Sequence, residues 1–188
     1  MKSFAISALL GAVAVADRST CTVQQTGINN FDVKSFAGTW YEIVRTQDIG
    51  FQTGICDKAE YTFDVDHINV VNSEQNDGVV KHVDGTAYCM DDGTANCQVA
   101  FSPLETKKPS GDNHNYDVLE TDYKNYAIVH TCAPYVWGLY TVELIWIFSR
   151  INNPEEAEVE KLIDAVKDYG FDTSKLQRTY QGEKCNYE

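Results

Sequence analysis

Positive charge is scarce in this chain: 15 lysines and arginines stand against 28 acids, a net charge of −13. A surface of that sign repels phosphate, which argues against nucleic acid and anionic membranes as partners. Beyond residue 16 no apolar run approaches the roughly 20 residues a membrane span needs. No two cysteines have the C-x-x-C spacing that brings two thiolates to one zinc, and the histidines His67, His82, His114 and His130 form no i, i+4 pair. No metal is expected. Two further motifs are missing, the N-x-S/T sequon of N-glycosylation and the G-x-S-x-G elbow of serine hydrolases.

What is present begins at Lys2, followed by an apolar run from Phe4 to Val15 and a small-x-small end, Ala14-Val15-Ala16. This is the pattern of a secretory signal peptide cut after Ala16, and it is too short to span a bilayer. Residues 17–188 are then one exported domain, which places the protein outside the cell. All six cysteines, Cys21, Cys56, Cys89, Cys97, Cys132 and Cys185, lie in that domain. An even count in an exported chain implies three disulfides, but the count leaves many pairings open. One is favoured locally. The segment between Cys89 and Cys97 centres on Gly93 and carries an Asp-Gly turn signal, so a hairpin there sets the two sulfurs on facing residues.

From residue 36 to 150 the chain reads as short β-rich runs separated by turn residues. The runs are 39–46, 59–65, 68–71, 79–90, 97–101, 116–120, 126–132 and 141–149. Eight closely spaced strands without intervening helices indicate an antiparallel meander. Residues 102–115 form one long polar loop. The period then changes to that of a helix. Asn153 can cap, Pro154 fits the first helical position, Val159, Leu162, Ile163 and Val166 make one apolar stripe, and Gly170 supplies a left-handed stop. Residues 176–181 suit one further short strand. Eight antiparallel strands can close into an up-and-down barrel with room for one small ligand, the helix packing outside.

Three segments carry a family resemblance. Gly38-Thr39-Trp40 resembles the G-x-W motif of the first lipocalin strand. Thr121-Asp122-Tyr123 resembles the T-D-Y turn between strands six and seven, and Ile147-Phe148-Ser149-Arg150 resembles the arginine-terminated eighth strand. In order and together, behind a signal peptide and before a single helix, they identify the chain as a member of the lipocalins, nearest the apolipoprotein D, bilin-binding protein and crustacyanin group. The resemblance makes these motif residues structural: Trp40 plugs the closed end of the barrel and Arg150 lies across its ring. It also implies Cys21–Cys132 and Cys56–Cys185, leaving Cys89–Cys97.

The function implied is binding of a small hydrophobic ligand such as a lipid, sterol, retinoid, bilin or carotenoid, with no catalytic cofactor. If the ligand is a pigment, the resemblance admits homo- or hetero-oligomers. A lipocalin enzyme of the isomerase or de-epoxidase kind is the alternative; the prostaglandin-isomerase type needs a free cysteine, and a full pairing scheme provides none.

Alternation of side chains along each strand selects the candidate lining. Strand eight offers Val142, Leu144, Trp146 and Phe148. Strand two offers Ala59, Tyr61 and Phe63, strand one Val44 and, against the usual polarity, Glu42. Strand six offers Tyr116 and Val118. Trp137, with Tyr135 and Tyr140, falls in a loop at the mouth. Phe148, next to the plug, reads as core; Tyr61 and Trp146 read as ligand contacts. His130 could serve as a haem ligand or a chromophore contact, although such residues are more commonly satisfied wall histidines.

Overall fold

A strand whose side chains alternate between apolar and polar has one face to bury, and closing the sheet on itself buries that face without leaving an edge. The computed structural model describes residues 21–23, 26–102, 104–135 and 140–187, and it shows this closure. A four-residue helix α1 (Val33–Phe36) leads into β1 (Gly38–Thr46), β2 (Ile55–Asp64), β3 (His67–Asn76), β4 (Val79–Cys89), β5 (Asn96–Phe101), β6 (Tyr116–Thr121), β7 (Tyr126–Tyr135) and β8 (Tyr140–Ser149). Helix α2 (Glu156–Asp168) and a short strand β9 (Leu176–Arg178) follow. Neighbouring strands pair antiparallel in sequence order. The ring closes where β1 pairs with both β8 and β2. The signal-peptide residues 1–16 and Trp137 lie outside the described residues.

Only the first half of β1, Gly38–Tyr41, pairs with β2. The two strands then part, and the C-terminal tail fills the seam. Val44–Thr46 pair with β9, the Cys56 N–H donates to the Tyr180 carbonyl, and the Gln181 amide bridges the carbonyls of Glu42 and Asp57.

Two apolar layers result. The inner one joins Phe36, Trp40, Ala59, Tyr61, Val70, Val118, Val129 and Phe148 inside the barrel. The outer one joins Ile43, Val44, Leu119, Ile128, Ile145 and Ile147 to Val159 and Val166 of α2. The helical stripe therefore packs on the outside of the sheet, as its spacing requires. The helix begins later than Asn153 and Pro154 suggest: the Glu155 carbonyl receives the first helical N–H, from Val159, so Pro154 leads in as a non-helical residue. Gly170 does end it, with φ +94°.

All three expected disulfides are present: Cys21–Cys132, Cys56–Cys185 and Cys89–Cys97. Cys89 and Cys97 are direct partners across the β4–β5 ladder, as the hairpin argument requires. Among the described residues no helix is long and apolar enough to cross a membrane.

Candidate functional site

The closed end is built by Trp40 and Arg150. Trp40 is wholly buried, and its indole N–H donates to the Phe36 carbonyl. The Arg150 guanidinium lies 3.5 Å from the Trp40 ring centre and donates to the carbonyls of Tyr123, Thr39, Ser35, Phe36 and Ala37. This stack satisfies a cation by backbone and ring together, and it leaves no charge for a ligand. Gly38 is required beside it: its φ is +100°, and a side chain there would crowd the Arg150 Nη1 at 3.2 Å. In the adjoining turn the Asp122 carboxylate accepts the N–H groups of Lys124, Asn125 and Tyr126. The Thr121 hydroxyl donates to the Tyr126 carbonyl and accepts the Tyr123 N–H. The polar groups of these motif residues are thus engaged within the protein.

Above this plug the inner face carries most of the side chains expected from strand alternation. Ala59, Tyr61, Val118 and Phe148 belong to the inner layer, with Phe63, Tyr116 and Trp146 packed against it and only partly covered. Leu144 is buried at the same parity, two residues before Trp146. Tyr61 stacks on Phe36, with centroids 5.6 Å apart, and its hydroxyl meets that of Tyr116 at 2.9 Å. Burial pushes the Tyr61 phenol up to about 12, so both hydroxyls stay protonated.

Val44 is a correction. It packs in the outer layer, because β1 bulges between Glu42 and Val44: Glu42 faces Phe148, whereas Val44 faces Ile147. The bulge turns Arg45 inward opposite Trp146 instead. Arg45 Nη1 donates to Glu42 Oε1 at 2.8 Å and to Asp57 Oδ2 at 3.2 Å, and Nη2 donates to the Gly54 carbonyl. From the β1–β2 connection, the Gln52 amide donates to Glu42 and to Asp57, while its carbonyl accepts the Trp146 indole N–H at 3.0 Å. Thr179 completes the set with a hydroxyl donated to Glu42. Burial, reinforced by the Asp57 charge, raises the Glu42 carboxyl to about 7, and burial raises Asp57 as well. Sequence reasoning singled out Glu42 as an inward acid. It missed Arg45, because three residues of spacing puts Glu42 and Arg45 on one face only if the strand bulges. It missed Asp57 because the second run reads from residue 59 whereas β2 begins at Ile55, and Gln52 because it lies in a connection without periodicity.

His130 does not line the interior. It lies on the outer face, fully buried, with Nε2 3.1 Å from Glu143 and Nδ1 3.6 Å from Asp117, which in turn contacts His114. Glu143 also accepts the N–H groups of Thr22 and Val23, so this chain of groups ties down the N-terminal segment next to Cys21–Cys132. Burial opposes the His130 charge, but the two carboxylates outweigh it and raise its pKa. Burial likewise opposes the Glu143 charge, and His130 with the two N–H groups brings that carboxyl down to about 2. The glutamate's contribution is therefore present above its ordinary range near 4.5 and lost as pH falls towards 2. The histidine's is complete below its ordinary 6.5 and lost as pH rises through its folded value. Exchange of the Thr22 and Val23 amides, corrected for intrinsic rates, is expected to be slowest between those limits. Glu143→Ala should lower stability by about 1–3 kcal/mol in denaturant unfolding, since it strands buried donors.

Comparison with known proteins assigns the class. The model of the lipocalin-like domain matches residues 31–181, and the chain belongs to the lipocalin family. Apolipoprotein D of Mus musculus is 34% identical over 155 residues, covering 81% of this chain and 78% of that protein. The crustacyanin-A1 subunit of Homarus gammarus is 31% identical over 183 residues, covering 95% and 92%. Among solved structures, apocrustacyanin C1 superposes with a TM-score of 0.68 at 28% identity, covering 94% of this chain and 92% of that one.

Proposed function

We propose that the chain is an exported carrier or sequestering protein for one small hydrophobic ligand, a lipid, sterol, retinoid, bilin or carotenoid, held inside the barrel. The observation that carries this reading is the uneven filling of the interior. Trp40 at the plug is fully buried, whereas Tyr116 and Trp146 belong to the inner layer and remain partly uncovered. Aromatic side chains left partly uncovered on the inner face of a closed barrel suit a planar or elongated apolar molecule. Tyr61, Leu144, Ala59, Tyr116, Val118 and Trp146 are its proposed contacts, with Trp137 added at the mouth. The lipocalin relationship supports the reading. So does the pairing of all six sulfurs in disulfides, which favours a carrier over a thiol-dependent isomerase.

The test is a fluorescence titration of ligand-free protein with retinol or a sterol. Tryptophan emission should change saturably, and Trp146→Ala should weaken binding by about 1–3 kcal/mol while the fold persists. Unchanged affinity in that variant would remove Trp146 from the site.

A further inference from the structure

We propose that the β1–β2 side of the ligand cavity discriminates by charge, accepting apolar molecules that end in a neutral oxygen group and rejecting those that end in a carboxylate. This rests on the carrier reading above and adds the chemistry of the buried end group. Glu42 and Arg45 face inward on β1, opposite Phe148 and Trp146 of β8, which places them on the wall that carries the accessible aromatic surface. Asp57 joins them through the shared Arg45 Nη1. The cluster therefore holds two carboxylates against one guanidinium, all at 5% exposure or less.

Every neighbour that meets the cluster is neutral or acidic. Thr179 and Gln181 come from the tail, Gln52 from the β1–β2 connection, Tyr61 from β2 within the field of Glu42, and Glu74 from β3 within the field of Asp57. Among the described residues the excess negative charge thus meets no second cation. In a low-dielectric interior a third carboxylate brought beside it is repelled without solvent screening. A hydroxyl or carbonyl meets no such penalty, and the Tyr61–Tyr116 hydroxyl pair, which uses one of its two protons internally, offers a neutral partner. Arg45 Nε is buried and has no hydrogen-bond partner among the described residues, which leaves one donor of the network open.

Retinol and retinoate test this, since they share one apolar body and differ at its end. At pH 8, where Glu42 is mostly ionised, retinol should bind at least tenfold more tightly than retinoate by tryptophan quenching. Glu42→Gln should shrink that ratio to threefold or less, and Asp57→Asn should shift it in the same direction. Dodecanol and dodecanoate, displacing bound retinol, should give the same order. Equal affinities for retinol and retinoate in the unaltered protein, or tighter retinoate, would overturn the proposal and leave the carrier reading standing. If neither compound nor a sterol bound, the carrier reading itself would fall.

Discussion

Replacing Cys21 and Cys132, or Cys56 and Cys185, by serine pairs is expected to lower stability more than any other paired change in the chain. These bridges span 111 and 129 residues, and each ties a terminus to the barrel wall. On the chain-entropy relation loops of that length are worth about 4–5 kcal/mol each, with measured bridges more often about 2–4 kcal/mol. Cys89–Cys97 closes only 8 residues, across a hairpin already held by its ladder, and should contribute about 2–3 kcal/mol at most. The two long loops overlap in sequence, so the losses should not simply add. Denaturant unfolding of the three double-serine variants gives the ranking, and an equal or larger loss at Cys89–Cys97 would refute it.

Trp40→Ala is expected to cost about 3–5 kcal/mol, the range for truncating a buried large aromatic residue. At the 2–4 °C per kcal/mol typical of a chain of this size, the melting temperature should fall by roughly 6–20 °C. The cavity would open beneath Arg150, whose guanidinium would keep its carbonyl partners but lose the ring on which it lies. Scanning calorimetry measures the effect. A Trp40→Ala variant that melts within 2 °C of the parent would show that Arg150 and its carbonyls close the barrel alone. Trp40 and Trp146 thus separate by readout, the first changing stability and the second affinity.

Much of this architecture was legible because it rests on local alternation. The strand set, the outer helix with its stop at Gly170, and the Cys89–Cys97 hairpin follow from periodicity and turn chemistry. The two long disulfides needed the family resemblance, since no local signal links residues more than a hundred positions apart.

The misses have separate causes: polar composition, a short capped helix, and departures from regular strand geometry. β3 runs on to Asn76 because Asn72-Ser73-Glu74-Gln75 keep pairing with β4 although they carry no apolar signal. β2 begins at Ile55, hidden behind Cys56, a non-glycine residue at φ +62° beside a register shift. α1 was overlooked although Asp32 caps it, accepting the N–H groups of Lys34 and Ser35. The bulge after Glu42 had the largest consequence for the site: it moved Val44 outward and brought Arg45 in, replacing an expected apolar contact with a buried ion cluster.

Whether a ligand occupies the barrel is tested most directly by methyl-labelled NMR during a retinol titration. Inner-layer methyls of Ala59, Val118 and Val129, with Leu144 beside Trp146, should shift or broaden and saturate at one equivalent. Outer-layer methyls of Ile43, Val44, Ile145 and Val159, separated from the interior by the sheet, should stay in place. Saturable shifts confined to the outer set, or no shifts in the inner set at ten equivalents, would contradict a ligand held inside the barrel.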